Sequence, residues 1–297
     1  MKKILKRNEL LRNISDLKRF YTINGYIPKI KEPKSFNEKI LNRKAFSNPR
    51  EFSMFADKIA AKKHVEETLD KEVVIPTLFV SDSLSIEEIN HLIDEHQNIV
   101  VKANHNSGPV YIVSSETSEI KKKEIVSDMK RQLKDDYGKK QNETWYSLID
   151  RKIIIEEQLS PEQGQSDLRD YKFHVFKQKD GSQKVLLHID FERGRNHNRS
   201  FYDEDMNWLP FSTFVPTVNT QIEKPKNFDL MLKSAKKLAE PFSYVRIDFY
   251  NIDGAIYFGE FTFAPGSGIS NKFTNKDYDF WMGSLWQLND FGEEFLT

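Results

Sequence analysis

The sequence predicts an α+β fold, because strand pairs joined by short polar turns share the chain with amphipathic helices. Two such pairs are recognisable, at residues 98–113 and 244–268, and in each of them apolar or aromatic runs flank a turn. Apolar residues recur at helical spacing over Ser118–Tyr137, where Gly138 would stop the helix, and over Phe228–Ala239. Ser85 with Glu88 predicts a capping box for a helix to about His96. With 297 residues and 38% hydrophobic content, the chain can bury a sizeable core in one large or several smaller domains.

The second strand pair carries the strongest candidate for chemistry. Arg246 and Asp248 alternate with apolar residues, so a guanidinium and a carboxylate project from one face of the first strand. Glu260 and Thr262 share a face of the second strand. If the two acids converge, they offer the oxygen ligands that Mg²⁺ prefers, with an arginine beside them; a solvated strand face is the alternative.

Convergence depends on the turn, because a slip of one residue sends every side chain to the other face. A two-residue Asp253-Gly254 loop would leave Glu260 on the wrong side. A three-residue loop that starts at Ile252 would instead bring Asp248 within a diagonal step of Glu260. If the two acids hold a metal, we expect an odd loop such as this one, with Gly254 left-handed, or a β-bulge in the hairpin.

Composition excludes several classes of function. Lys+Arg 45 balances Asp+Glu 45, which argues against bulk electrostatic binding of nucleic acid. Cys 0 excludes disulfides, thiolate metal sites and cysteine nucleophiles. No apolar run reaches the length of a membrane span, and the first residues lack the features of a signal peptide, so we expect a cytoplasmic protein.

The first twenty residues predict a basic amphipathic helix. Its apolar positions recur at helical spacing, among lysines and arginines: Leu10, Leu11, Ile14, Leu17 and Phe20. Such a helix can make peripheral contact with an anionic membrane, or it can pack onto the protein body or a partner.

Two lysines stand out in the first half of the chain. Lys58 opens a helix after Ala56-Asp57, where the alternative is a solvated lysine. Lys102 lies in an otherwise apolar strand and therefore needs a negative partner. The loop that follows it, Asn104–Gly108, is small and polar, and its Ser107 and Gly108 let backbone N–H groups approach phosphate, although an ordinary hairpin loop would look the same. We expect this loop to be poorly anchored and mobile without nucleotide.

Acids and arginines mark the next segments. A buried strand ends at Glu156-Glu157, and the strand from Leu168 begins with Asp170. The loop after Phe191 contains Arg193, Arg195 and Arg199, which could bind a phosphate or an acidic substrate or could simply be solvated.

These motifs together resemble the ATP-grasp carboxylate–amine ligases. The family pattern is Arg-x-Asp, then Glu-x-Asn and a Pro-Gly turn, and Thr262 departs from it where the family usually has asparagine. Within the family the chain is most similar to the TupA-like group, named for teichuronopeptide synthesis, from about Pro33 to Leu288. The segments that carry this likeness are Ser35–Ile40, Ala56–Lys58, Val101–Gly108, Asp170–Phe173 and Gly259–Gly268.

The resemblance implies an ATP-grasp fold, in which two α+β subdomains grip a nucleotide, with ATP and Mg²⁺ as cofactors. We expect a helical N-terminal extension at residues 1–50, an A subdomain with the phosphate loop at 51–154 and a B subdomain with the metal-binding hairpin at 155–297. The implied roles are catalysis by Arg246; nucleotide binding by Lys58, Lys102, Ser107, Gly108, Glu156, Glu157, Leu159 and Asp170; metal binding by Asp248, Glu260 and Thr262; and substrate binding by Arg193, Arg195, Arg199, Gly266 and Ser267. The resemblance implies an adenine hinge at Glu156–Leu159, in which Glu156 meets the amino group of the base and the backbone of Glu157 and Leu159 pairs with it.

The resemblance also implies a reaction. An amine or amino acid would be joined to the carboxylate of a uronic acid, through an acylphosphate, in the synthesis of a capsule or cell-wall polymer. Two alternatives stay open, a kinase on the same fold and a catalytically inactive nucleotide-binding scaffold of a polysaccharide assembly complex.

Overall fold

The computed structural model describes residues 14–161, 168–191, 196–218 and 221–288. They form the mixture of helices and antiparallel strands that the sequence predicts. The α-helices are α1 (14–24), α2 (Phe36–Phe46), α3 (Arg50–Ala56), α4 (Lys58–Thr68), α5 (Ile86–His96), α6 (Glu119–Lys134), α7 (Tyr137–Gln141), α8 (Phe228–Leu238) and α9 (Lys276–Leu285). The strands are β1 (Thr77–Ser81), β2 (Asn98–Ala103), β3 (Tyr111–Ser114), β4 (Ile153–Glu157), β5 (Asp170–Lys177), β6 (Gln183–Phe191), β7 (Asn198–Asp203), β8 (Trp208–Leu209), β9 (Tyr244–Ile252) and β10 (Ala255–Thr262).

The chain divides into two compact units. As far as it is described, the first lies within Met1–Asn48, Arg169–Gly254 and Phe261–Thr297, and the second within Pro49–Leu168 and Ala255–Glu260. The domain boundaries expected after residues 50 and 154 remain a prediction. Among the described residues, none of the helices has the length and apolar character needed to cross a membrane.

The second unit is built on a four-stranded sheet of order β1-β4-β2-β3, in which every pairing is antiparallel. Its apolar core joins this sheet to α5 and α6, with Ile89, Val101, Met129 and Ile155 fully or nearly fully buried. Helix α5 begins at the predicted capping box, where Ser85 and Glu88 satisfy each other's backbone N–H groups.

One helix end in this unit is not where we expected it. The sequence suggested that Gly138 stops the helix that starts after Ser118, but α6 ends at Lys134 and Gly138 lies inside the short α7. A Cβ at Gly138 would lie 2.6 Å from the backbone nitrogen of Ser147. The glycine therefore permits a close approach of two backbone segments rather than a helix stop.

The first unit contains a six-stranded sheet of order β10-β9-β5-β6-β7-β8, although only Phe261 and Thr262 of β10 belong to this unit. Strand β5 pairs antiparallel with β9 on one side and with β6 on the other. Aromatic rings fill the space between the sheet and the helices α2 and α9, with the ring of Tyr244 5.2 Å from Phe36 and 4.5 Å from Trp286. Phe20 of α1 is also fully buried, against Leu41 and Ile269, so this part of the N-terminal helix packs onto the body.

The turn between β9 and β10 corrects the three-residue loop expected from the sequence. It has two residues, and Asp253 (φ 52°) and Gly254 (φ 96°) are both left-handed, as in the type I′ turns that suit twisted hairpins. Asn227 donates to the Gly254 carbonyl over 2.7 Å. Asp-Gly fits this turn directly, so no third loop residue is needed.

The buried side chains along β10 change from even-numbered to odd-numbered positions. Ile256 and Phe258 are buried at even positions, whereas Phe261 and Phe263 are buried at odd positions. One extra residue between them, as in a β-bulge, produces such a change. With a two-residue turn, this bulge is what the predicted convergence of Asp248 and Glu260 requires, and that convergence stays a prediction.

Candidate functional site

Three lysines surround one buried carboxylate in the second unit. Lys58 is the first residue of α4, which Asp57 caps by accepting from the backbone N–H of Ile59, and Lys62 lies one turn further along the same face. Lys62 Nζ lies 2.7 Å from Glu156 Oε1, and Lys102 from the neighbouring strand binds Glu156 Oε2. Lys102 thus has the negative partner that its place in an apolar strand predicts.

Charge and burial shift the pKa values in this cluster. Burial alone would raise the pKa of Glu156, but Lys102 and Lys62 outweigh it and the pKa is lowered. Burial, and then repulsion from Lys102, lower the pKa of Lys58 to about 8, although Glu260 and Glu156 oppose this change. Asp57 also acts on Lys58, so three lysines face three carboxylates, and it is the gathering of three ammonium groups that suits phosphate oxygens. The predicted contact of Glu156 with an adenine amino group remains untested, and in the structure its two oxygens bind lysines.

The loop after β2 is better anchored than we expected. Asn104, His105 and Asn106 are buried. Asn104 donates to Asp57 Oδ1 over 2.8 Å, and Asn106 donates to Gln132 Oε1 over 2.8 Å. The lysine Lys58 itself donates to the Asn106 carbonyl.

The expectation of a poorly anchored loop is therefore wrong for residues 104–106, because their amide side chains bind neighbouring elements. Ser107 is exposed and Gly108 half-buried at the tip. A Cβ at Gly108 would lie 2.8 Å from the Asn106 amide nitrogen, so a glycine is needed there. The tip is the part of the loop that stays available to a ligand.

The predicted adenine hinge lines a cavity of about 730 Å³ in the second unit. Glu157 and Leu159 line it together with Val74, Ile75 and Tyr257. Ligand pockets commonly have several hundred cubic ångströms and mostly apolar walls, and this cavity meets both conditions. Lys62 also lines the cavity, so one lysine of the cluster lies beside the predicted hinge.

A row of alternating charges lies on the sheet of the first unit. Lys172 of β5 stands between two buried acids, 3.2 Å from Asp170 and 2.8 Å from Asp248. Arg246 grips both oxygens of Asp248 through two hydrogen bonds of 2.6 Å. Burial would raise the pKa of Asp248, but Arg246 and then Lys172 reverse the effect and lower it. Asp248 is thus held as an anion.

Three predicted residues line one cavity of about 290 Å³ in this unit, namely Arg246, Arg199 and Gly266. Arg199 binds Asp190 through Nε over 2.7 Å and Thr213 through Nη1 over 3.0 Å. Ser267 has its hydroxyl 2.6 Å from Lys44 Nζ. Arg193 and Arg195, which we also expected to bind substrate, lie outside the described residues.

The chemistry of Asp248, Glu260 and Thr262 fits magnesium. All three offer oxygen, and Mg²⁺ usually takes one or two protein carboxylates with phosphate oxygens and water completing its shell. Asp248 accepts one hydrogen bond from Lys172 and two from Arg246, which leaves part of the lone-pair capacity of its carboxylate for a metal. Over the described ranges, no three acidic or histidine side chains form a ready-made metal cage. A site here would therefore need oxygens from a nucleotide.

Sequence reasoning missed several residues at both clusters. Lys62 could have been found from its i+4 spacing after Lys58, and Lys172 from its place two residues after Asp170 on the same strand face. The contact of His174 with His188 carried no local signal, because it depends on the pairing of β5 with β6.

Comparison with solved structures finds matches to the following proteins, each at low identity. D-alanine–D-alanine ligase from Helicobacter pylori is 15% identical with a TM-score of 0.48, over 79% of this chain and 62% of that one. D-alanyl-alanine synthetase A from Vibrio cholerae is 14% identical with a TM-score of 0.45, over 75% and 60%. The ATP-grasp ligase PsnB complexed with minimal precursor is 12% identical with a TM-score of 0.40, over 72% and 54%. This chain therefore spans less than two thirds of the length of each.

No curated protein matches the chain in sequence. A family model does match it, over residues 38–287, and its description is TupA-like ATPgrasp. The matched segment contains the lysine cluster, the hinge, the charged row and the hairpin described above. Because the match spans most of the sequence, the chain belongs to the TupA-like ATP-grasp family.

Proposed function

We propose that this protein is an ATP-dependent carboxylate–amine ligase that forms an amide, ADP and phosphate. The observation that carries the proposal is the family match combined with the lysine cluster around Glu156. In the same chain Arg246 and Asp248 form a bidentate pair. The proposed reaction needs no protein nucleophile, because it proceeds by positioning and charge stabilisation.

In the first step a carboxylate oxygen of the acid attacks the γ-phosphorus of ATP, and the bond to the β-phosphate oxygen breaks. Lys58 and Lys102 neutralise phosphate oxygens, while Glu157 and Leu159 hold the base through the hinge and Asp170 accepts from ribose hydroxyls. Ser107 and Gly108 cover the phosphates. Magnesium, when bound through Asp248, Glu260 and Thr262, supplies positive charge that offsets the charge of the phosphates.

In the second step the amine nitrogen attacks the acyl carbon, phosphate leaves, and the nitrogen loses a proton to solvent or phosphate. We assign to Arg246 the stabilisation of the negative oxygen of the tetrahedral state, since its guanidinium stays charged at every accessible pH. Arg199, Gly266 and Ser267 are the described residues that we assign to the acid substrate.

As the acid we propose a uronic acid of a capsule or cell-wall polymer, and as the amine an amino acid or related compound. The support for these identities is the family's association with teichuronopeptide synthesis. We place the reaction in the cytoplasm, with peripheral membrane contact through the basic N-terminal segment as a further proposal. Nucleic acid has no role in it.

The test is release of phosphate from ATP by the purified protein with acids and amines offered singly and in pairs. We expect release only with an acid and an amine together, and a mass equal to that of the amide in the product. Phosphate transfer to an alcohol without any amine would replace the ligase with a kinase. Binding of ATP without turnover on any pair would favour the inactive scaffold, for which Thr262 is the only departure from the family pattern.

A further inference from the structure

The cavity of about 290 Å³ in the first unit contains a buried polar atom without a partner. His188 lines this cavity and is 2% exposed, and its Nε2 has no hydrogen-bond partner in the described structure. The nearest carboxylate oxygen, Asp190 Oδ2, is 4.0 Å away, too far for a hydrogen bond. An unsatisfied buried donor or acceptor is costly, so this atom points to a ligand.

His188 is the end of a chain of three side chains. Its Nδ1 lies 2.7 Å from His174 Nε2, and His174 Nδ1 lies 2.8 Å from the Tyr244 hydroxyl. Burial lowers the pKa values of both histidines well below the usual range, so each ring is neutral and carries one proton. One proton therefore lies in each of the two hydrogen bonds, between Tyr244 and His174 and between His174 and His188.

The hydroxyl of Tyr244 sets the direction of the chain. Tyr244 is fully buried, and in the described structure its hydroxyl has His174 as its hydrogen-bond partner. If the hydroxyl donates to His174 Nδ1, then His174 Nε2–H donates to His188 Nδ1, and the remaining proton of His188 is on Nε2. The reverse direction would leave the phenol proton buried without an acceptor. The Tyr244–His174–His188 relay thus presents an N–H donor to the cavity.

The rest of the cavity is also rich in donors. Arg199 and Arg246 line it. The carboxylates of Asp190 and Asp248 accept hydrogen bonds from these two arginines. Phe36, Phe201 and Phe273 supply apolar walls. Its volume is near the lower end for ligand pockets, which suits a ligand of the size of one sugar or one amino acid.

We propose that His188 Nε2–H, oriented by the relay, binds an oxygen of the acid substrate, and that this substrate is a single-ring sugar acid or an acid of that size. The inference rests on the proposed function, because it locates the acid of that reaction. His188 is a binding residue, and His174 and Tyr244 are positioning residues that act through it.

The first experiment uses the protein labelled with ¹⁵N in histidine, because long-range ¹H–¹⁵N spectra distinguish the two tautomers. We expect both His174 and His188 to carry the proton on Nε2. D-Glucuronate and D-galacturonate should shift the Nε2 resonance of His188, whereas D-glucose, which has a hydroxymethyl group in place of the carboxylate, should not. A proton on Nδ1 of His188, or no shift with either acid, would overturn the proposal.

The second experiment uses variants. Tyr244→Phe keeps the ring but removes the phenol proton, so the tautomers should mix and the affinity for the responding acid should fall about ten-fold. His188→Leu should lose at least as much, and His188→Gln, which retains an amide N–H, should recover part of it. ADP affinity should stay unchanged in all three and reports folding. Equal acid affinity in wild type, Tyr244→Phe and His188→Leu would refute the proposal, and if Tyr244→Phe does not fold, the two His188 variants decide.

Measuring turnover distinguishes a failure of this inference from a failure of the proposed function. Acid-dependent shifts at His188 without amide formation from any amine would remove the ligase and leave the binding site. Amide formation from the same acid with no shift at His188 would leave the ligase and overturn the binding site.

Discussion

Lys58 is the residue whose charge depends most on its surroundings among the predicted phosphate ligands. Burial and the neighbouring Lys102 lower its pKa to about 8. Free lysine titrates near 10.4, so the ammonium is fully charged at neutral pH in either case but is lost earlier here as the pH rises. Phosphate binding needs the charged form.

We therefore expect the affinity for ADP to fall roughly ten-fold between about pH 7.5 and about pH 9.5, through loss of the Lys58 proton. Isothermal titration calorimetry across this range measures it. Lys58→Arg is the matched control, because a guanidinium stays charged throughout and should give a flatter profile. The same slope in both proteins would show that another group is responsible.

At the scale of single elements, Asp57 at the start of α4 stabilises the helix and also holds the loop Asn104–Gly108. Asp57 accepts from Ile59 N over 3.0 Å and from Asn104 Nδ2 over 2.8 Å, so one carboxylate caps the helix and holds the loop. Asp57→Ala should lower the free energy of unfolding by about 1–2 kcal/mol and also weaken ADP binding. Ser85→Ala at the capping box of α5 is the control, expected to cost about 1 kcal/mol without a change in ADP affinity. An unchanged ADP affinity in Asp57→Ala would show that this loop does not contribute to nucleotide binding.

The turn between β9 and β10 gives a second test at this scale. Gly254 has a φ of +96°, and a Cβ there would lie 3.1 Å from Asn227 Nδ2. Gly254→Ala should cost about 1–2 kcal/mol of unfolding free energy from the left-handed backbone, with crowding added. Gly181→Ala is the matched control, since its φ is +83° and nothing lies within 4 Å of the added atom. Denaturant unfolding should rank Gly254→Ala as the more destabilised, and the opposite order would contradict the crowding.

At the scale of the whole molecule, patterns within a few residues predicted helices and strands well, but they predicted poorly which side chains from different elements come into contact. The capping box at Ser85, the strand with Lys102 and the Arg246–Asp248 pair follow from spacing within a few residues, and the structure confirms them. The three-residue length considered for the β9–β10 turn was wrong, because Asp-Gly suits two left-handed residues. The change from even to odd apolar positions after Phe258 is present in the sequence, but its consequence for the strand was not drawn. The histidine relay was missed, because it depends on which strands pair across the sheet.

The magnesium proposal also belongs to the whole molecule, since its residues come from separate stretches. Asp248 lies in β9, and Glu260 and Thr262 lie in β10. If they bind the metal, magnesium should raise the affinity for ADP by at least about ten-fold, as expected for a charge-neutralising ligand shared with phosphate. Asp248→Asn and Glu260→Gln should remove this gain and leave the affinity without magnesium nearly unchanged.

Asp190→Asn is the control for this experiment. Asp190 is buried on the same sheet as Asp248 and is likewise gripped by an arginine, so its loss should cost comparable stability. Because Asp190 is not among the proposed ligands, the magnesium-dependent gain in ADP affinity should survive in Asp190→Asn. Titrations of each variant with ADP, with and without Mg²⁺, decide the matter. A gain that persists in both Asp248→Asn and Glu260→Gln, or one that disappears equally in Asp190→Asn, would mean that the metal is held elsewhere.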